Sequence, residues 1–346
     1  MLAVVKNRPE PGLEMADLPD PVVGDHEVIV DIKASGICGT DLAIEKWMDW
    51  TADIIGDNLP VVVGHEFGGD VIETGKNVRN FKKGDRVVVE PFITCGNCYF
   101  CSIGRPNLCL ERYYLGMHVN GGMAEYAAVP ESVLYKLPGG IPYHFIPLLE
   151  TLATCVHPVE RLNINPGDTV AVIGPGPIGL CILQVVKAAG AAKVIVIGTE
   201  KSRSRLHVAK ELGADLTIEK GKEDIIEGTL SFTSGLGVDV AIDSTGTEEG
   251  IMAALNMVRR GGEVCLVGVS DDPVAIKPFS QLMTKEVNIV SSLARIPSSW
   301  HRAIRLVETG RINLDILIGK RLPLKDALKG FEMVRNREAV KIVLEP

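Results

Sequence analysis

Apolar residues fall into two textures along the chain. Up to about residue 150 they form short extended runs broken by glycine and proline: EVIVDIKAS at 27–35, DRVVVEPF at 85–92 and AEYAAVP at 124–130. Runs of that length and punctuation predict the strands of an irregular, β-rich domain. From Pro166 the texture becomes an alternation of TVAVIG, a helical run from Ile178 to Ala189, KVIVIG at 193–198 and a second helical run ending at ELGA. Strand, helix and strand in that order predict βαβ units, and hence a parallel sheet with right-handed crossovers. VDVAID at 238–243 and EVCLVGV at 263–269 continue the alternation. The polar, turn-forming NINPGD at 163–168 reads as the hinge into this second domain. Beyond residue 290 the pattern predicts helices near 299–308 and 324–335 and a last strand, AVKIVLE.

Length and charge agree with this division. A chain of 346 residues suggests two domains with full cores. With 36 Lys and Arg against 44 Asp and Glu, the net charge of -8 offers no general attraction to nucleic acid or an anionic membrane. Hydrophobic residues make up 46% of the chain, and none of their runs approaches the ~20 residues of a spanning helix. The opening residues MLAVVKNRPEPGLEM lack the features of a signal peptide, so the expected setting is the cytoplasm. In a reducing compartment the eight cysteines require a use other than disulfides.

One use of sequence is a dinucleotide signal. GPGPIG places Gly174, Gly176 and Gly179, with Pro177 and Ile178 inside the motif, between the apolar run TVAVI and a helical run. One glycine permits the tight turn, the second lets a pyrophosphate approach the backbone, and the third allows close helix–strand packing, with the helix N-terminus facing the phosphates. A glycine-rich turn of another parallel-sheet protein is the plainer alternative. KVIVIG ends before Thr199 and Glu200, where an acid hydrogen-bonds the adenosine ribose. Glu200 favours NAD because a carboxylate repels the extra phosphate of NADP, while Arg203 and Arg205 nearby pull the other way. Glu200 is otherwise a simple first-turn helix acid.

Two groups of residues have metal-ligand chemistry. Cys95, Cys98, Cys101 and Cys109 lie on one turn-rich loop, CGNCYFCSIGRPNLC, and four thiolates match a closed tetrahedral structural zinc site. An iron–sulfur cluster is the alternative occupant. Unliganded thiols on such a polar loop would be open to oxidation. The second group is dispersed: Cys38 in GICGTD, His65 and Glu66 in GHEFGG, and Glu150 in LLETLA. A catalytic zinc needs three protein ligands and an open position, but sequence distance alone does not bring these four together. Taken singly, each is most simply a packed or locally hydrogen-bonded residue. Cys155, Cys181 and Cys265 fall in apolar patterns and are expected in cores, and His118 and His157 are expected to pack or lie on the surface.

GICGTD, GHEFGG, the four-cysteine loop and GPGPIG, in this order and at these distances, resemble the zinc-dependent medium-chain dehydrogenase/reductase family. The likeness covers essentially the whole chain, and its nearest branch is that of polyol dehydrogenases, such as sorbitol dehydrogenase, and L-threonine 3-dehydrogenases. It implies an α/β architecture: a GroES-like β-rich catalytic domain over 1–153 carrying a catalytic and a structural zinc, a doubly wound Rossmann domain over 154–293, and a segment 294–346 returning to the first. Cys38 and His65 are then ligands of the catalytic zinc, with Glu66 a direct or exchangeable third ligand and Glu150 a direct or water-mediated one. Thr40 takes the alcohol proton; otherwise it caps the helix beginning near Asp41. The implied cofactor contacts are Gly174, Gly176, Pro177, Ile178, Gly179, Glu200, Arg205, Val269 and Lys341, and Arg295 resembles an arginine near the substrate. Lys341 and Arg295 read equally well as solvated surface charges.

Two departures bear on substrate. His commonly follows three residues after the Thr of this motif, where the chain has Ala43, and threonine dehydrogenases tend to read EPHITC where it has Phe92. The reading that results is an NAD-linked, zinc-dependent dehydrogenase oxidising a secondary alcohol of a polyol or similar small polar substrate in a cleft between domains. L-threonine 3-dehydrogenase is the alternative substrate, and a nucleotide-binding redox sensor or scaffold the non-enzymatic one. The resemblance further implies a homo-oligomer, a tetramer rather than a dimer, without nucleic-acid or membrane partners.

Overall fold

The strand Glu27–Ile37 organises the first part of the molecule, whose computed structural model describes residues 1–270 and 272–346. EVIVDIKASGI sends Val28, Val30 and Ile32 into one apolar cluster with Phe67, Val71, Val87 and Val129, the period-two pattern of a strand buried on that face. It pairs antiparallel with Glu66–Thr74, with Tyr126–Pro130 and with the C-terminal strand Lys341–Glu345. The seven-stranded sheet therefore brings together chain segments far apart in sequence. Gly36 lies opposite Glu66, and Ile37 opposite Ile342, so the end of this strand is flanked by Glu66 on one side and Lys341 on the other. A second cluster joins Ile37 to Ile44, Ile55, Met117, Phe331 and Ile342.

The second part carries a six-stranded parallel sheet in the order Leu216–Lys220, Lys193–Thr199, Thr169–Ile173, Val238–Asp243, Val258–Leu266, Asn288–Ser291. Its central strands are continuous apolar runs because both faces are covered, and Ala171, Ile195, Ala241 and Val264 are fully buried. This is the doubly wound order with a switch point beside the first strand of the unit, and together with the β-rich first part it gives the expected fold class.

The compact units are 1–151 with 314–346, and 152–313. The return to the first unit thus begins at Leu314, whereas the expected segment began at residue 294. The helix Pro297–Glu308 stays with the parallel-sheet unit because Trp300 is wholly buried there and Ser299 Oγ donates to Glu160 Oε2 at 2.7 Å. Gln184 extends that attachment, donating to Asn313 O at 3.2 Å and accepting from Asn313 N at 2.7 Å. No helix among the described residues is long and apolar enough to cross a membrane.

Candidate active site

Cys38 ends the strand Glu27–Ile37 and is the N-cap of the helix Gly39–Lys46. Its amide donates to Oδ2 of Asp41 at 2.8 Å, which satisfies a backbone N–H left open at a helix start. Thr40, half-buried in the first turn, is therefore not the cap. Asp41 is fully buried, and its other oxygen lies 3.5 Å from Nδ1 of His65, in the turn before the strand Glu66–Thr74. Burial pushes the His65 pKa down, but Asp41 and Cys38 override it and hold the imidazole well above its usual range.

Glu66 is also buried; Oε1 accepts from Thr151 Oγ1 at 3.0 Å and from Lys341 Nζ at 2.5 Å, and Lys341 also touches Oε2. Lys341 is 3% exposed. Burial lowers its pKa, and Glu66, then Cys38 and Glu150, more than restore it, leaving the ammonium above its ordinary value. Gly36 makes the cluster possible: a Cβ there would sit 2.4 Å from Glu66 Oε2 and 2.7 Å from Pro147 Cβ.

Donor atoms of Cys38, His65 and Glu66 all lie within 4.8 Å of one another. Thiol, imidazole and carboxylate converging at that distance fit a divalent cation of zinc's preferences, which would share the Glu66 carboxylate with Lys341. Glu150 is buried but outside this trio, and its charge is felt through Lys341. Lys341 is not the solvated surface charge of the alternative reading but the buried counterion of Glu66.

The loop thiols of Cys95, Cys98, Cys101 and Cys109 likewise lie within 4.8 Å of one another, and none is in a disulfide. Cys95 Sγ accepts from the Cys98 amide, and Cys109 Sγ from the Cys95 amide, each at 3.4 Å. Amide donors at Cys101 and Leu110 lead in lowering the Cys98 thiol to about 6, while burial and its thiol neighbours push Cys101 up to about 12. Four thiols at these separations fit a single tetrahedral ion such as zinc. The loop is closed by the pairing of Phe92–Thr94 with Arg112–Tyr114.

In the parallel-sheet unit, GPGPIG joins the strand Thr169–Ile173 to the helix Pro177–Ala189, with Gly176 as N-cap and Pro177 in the first turn, ahead of Ile178. Gly174 adopts φ 94, and a Cβ on Gly179 would meet Gly174 O at 1.9 Å. On Gly176 a Cβ would meet nothing within 4 Å, so that part of the turn is open to a ligand. Glu200 follows the strand Lys193–Thr199 with its side chain 82% exposed, and Arg203 lies 3.7 Å from it. Arg205 lies in the helix Arg203–Glu211, and Val269 is exposed beyond the end of Val258–Leu266.

Arg295 is not a solvated charge. It is buried, donates to Thr154 Oγ1 at 2.7 Å and lies over the Trp300 ring. His157 packs beside Glu160, His118 Nδ1 accepts from the Tyr114 amide at 3.1 Å, and Cys155, Cys181 and Cys265 are core residues. Sequence reasoning missed Asp41 and Thr151 as supports of His65 and Glu66. The available signal was Asp41, an acid three residues after Cys38 at a helix start.

The alcohol dehydrogenase GroES-like domain family matches residues 24–139, and the zinc-binding dehydrogenase family matches residues 177–309. The chain is 35% identical to an L-threonine 3-dehydrogenase of Bacillus licheniformis, covering 100% of this chain and 99% of the relative. It is 32% identical to a sorbitol dehydrogenase of Halalkalibacterium halodurans, again over 100% and 99% of the two chains. The crystal structure of 2R,3R-butanediol dehydrogenase from Bacillus subtilis superposes with a TM-score of 0.91 at 30% identity, covering 100% of this chain and 99% of that one. With both family matches and full-length relatives above 30% identity, the chain belongs to the zinc-binding alcohol dehydrogenases, in the branch of the polyol and L-threonine 3-dehydrogenases.

Proposed function

We propose that the protein is an NAD-linked dehydrogenase that oxidises a secondary alcohol of a polyol or similar small polar substrate to a ketone, using one catalytic and one structural zinc. The observation that carries this reading is the convergence of Cys38, His65 and Glu66 around one point, apart from the closed four-cysteine group. Zinc held by the trio supplies Lewis acidity toward an alcohol oxygen. The bound nicotinamide supplies the hydride acceptor.

The rest of the chemistry falls to side chains. Asp41 orients the His65 ring through Nδ1, as carboxylate partners of metal-binding imidazoles do. Thr151 and Lys341 hold the Glu66 carboxylate and set its availability as third ligand, and Glu150 adds negative charge near Lys341. Thr40 relays the substrate hydroxyl proton, receiving it at Oγ as its own hydroxyl proton passes on to water, the kind of transfer that general acid–base groups accelerate. The open backbone at Gly176, with Gly174 and Gly179 shaping the turn, receives the pyrophosphate, and Glu200 the adenosine ribose.

L-threonine is the second substrate reading, favoured by the relative of that name and opposed by Phe92 and Ala43 at the positions described above. A non-catalytic scaffold would have no need of both thiol-containing groups. The free cysteines support a reducing, cytoplasmic setting, and family resemblance supports a homo-oligomer, with a tetramer favoured. Zinc analysis with NAD reduction across a panel of polyols and amino alcohols tests the reading. Metal-dependent turnover of a polyol or diol is expected, and a preference for L-threonine, or no turnover with the metal present, overturns it.

A further inference from the structure

We infer that Glu219 is a specificity-determining residue for the cofactor, because it withholds Arg203 from the 2′-phosphate of NADP. The inference rests on the NAD-linked reading above. It starts from register: Glu219 lies beside Gly198 in the parallel pair formed by Leu216–Lys220 and Lys193–Thr199. That puts its carboxylate at the carboxyl end of the sheet, where a doubly wound fold receives its nucleotide.

Arg203 opens the helix Arg203–Glu211, four residues past the end of the strand at Thr199. Its Nε donates to Glu219 Oε2 at 2.8 Å and its Nη2 to Oε1 at 2.5 Å. This side-on, two-bond pair engages two of the five guanidinium N–H donors and offsets the charge with which an arginine would otherwise grip a phosphate. The Glu219 side chain is only 11% exposed and carries a second cation, Lys222 Nζ, 3.2 Å from Oε2. Arg203 leads in holding the Glu219 carboxyl at about 2, so the pair stays ionised at any working pH. Lys220, the neighbouring cation on the strand, is bound to Glu249 at 2.5 Å.

The same Nη2 of Arg203 is 3.7 Å from the exposed carboxylate of Glu200. A ribose 2′-hydroxyl approaching this place finds Glu200 as a hydrogen-bond acceptor. A 2′-phosphate finds the same negative charge, and Arg203 already neutralised. Glu200 thus disfavours the phosphate directly, while Glu219 does so by occupying the group that would compensate for it.

The test is calorimetric titration of adenosine 2′,5′-bisphosphate and 5′-AMP into the wild type, Glu219→Gln and Glu219→Gln/Arg203→Ala, independent of zinc and alcohol. Glu219→Gln is expected to tighten the bisphosphate by roughly tenfold, as the release of one arginine charge near the phosphate allows, and to leave 5′-AMP nearly unchanged. The gain should vanish in the double variant. Wild-type protein that prefers 5′-AMP combined with unchanged bisphosphate binding in Glu219→Gln overturns the inference alone. A gain that survives removal of Arg203 also overturns it. Wild-type preference for the bisphosphate overturns the NAD reading and the inference with it. If Glu219→Gln loses its cooperative thermal transition, Glu219→Asp, which keeps the charge but is one methylene too short for the two-bond pair, is expected to tighten the bisphosphate in the same direction by a smaller factor, and an unchanged affinity overturns the inference.

Discussion

Oδ1 of Asp41 lies 3.5 Å from Nδ1 of His65, while Oδ2 of the same carboxylate accepts the Cys38 amide at 2.8 Å. One buried acid therefore links the two residues most directly implicated in holding zinc. Replacement of such supporting groups typically costs about 10- to 100-fold in metal affinity. Asp41→Asn should accordingly weaken zinc binding by about that factor with the fold intact, as read by zinc competition with a chromogenic chelator and by circular dichroism. Unchanged affinity would show that the His65 ring is fixed by packing alone.

The Glu66–Lys341 pair joins residues on two strands flanking Glu27–Ile37. Removing one member of a buried pair strands the other charge and costs about 3–5 kcal/mol. Lys341→Met should destabilise metal-free protein by about that amount, measured by urea unfolding. The loss should shrink after zinc loading, because the metal then supplies the missing positive charge to Glu66. An equal loss in both forms would place Glu66 outside the zinc's reach.

Much of this site was legible before any coordinates. Gly174, Gly176 and Gly179 carry local requirements of a strand–turn–helix junction, and four cysteines on one short loop need little tertiary information to meet. The Glu66–Lys341 contact is different. It spans 275 residues and depends on the C-terminal strand pairing with Glu27–Ile37, a long-range choice that local periodicity does not encode. Arg295 reads as a surface charge from its neighbours in sequence, and only the packing of Trp300 and Thr154 explains its burial. The unit boundary at Leu314 was hidden for a similar reason: the helix Pro297–Glu308 is bound by Glu160 and its continuation by Gln184, neither near it in sequence.

Glu160 offers a pH test within the parallel-sheet unit. Burial raises its carboxyl pKa, but His157, Ser299 and Arg302 outweigh that effect and leave it below the usual carboxylate range. A depressed folded-state pKa contributes stability above the unfolded value, near 4.3, and loses it as pH falls through the folded value. Glu160→Gln should cost about 1.5–3 kcal/mol at pH 7, the scale of a hydrogen bond to a charged group. The difference from wild type should close as the wild-type carboxyl protonates. Denaturant unfolding at a series of pH values measures this, and a pH-independent difference would assign the loss to packing.

Thr40 is half-buried in the first turn of the helix that Cys38 caps, so its hydroxyl is not committed to the cap. Thr40→Ala should lower turnover by about 10²- to 10⁴-fold, the range of general acid–base relays. Zinc content and cofactor binding should be unchanged, and Thr40→Ser should restore most of the rate. Wild-type turnover in Thr40→Ala would assign the proton to water.

The closed thiol group gives the sharpest separation between the two metal positions. Cys95, Cys98, Cys101 and Cys109 have their donor atoms within 4.8 Å, and Cys98 also caps the short helix Tyr99–Ser102. Metal binding in such a loop is coupled to its folding. Cys98→Ser should therefore lower metal content from two zincs toward one, lower thermal stability, and expose the loop between about residues 92 and 110 to proteolysis. The Cys38, His65 and Glu66 trio uses none of these thiols, so the remaining zinc should stay there, and the Gly174 turn, in the other compact unit, should still bind nucleotide. Cys38→Ser makes the reciprocal case, with one zinc retained in the loop and turnover lost. Metal analysis of both variants with thermal unfolding distinguishes the outcomes. Two zincs retained by Cys98→Ser, or iron and inorganic sulfide in the wild type, would refute the structural-zinc assignment and leave the Cys38 site on its own geometry.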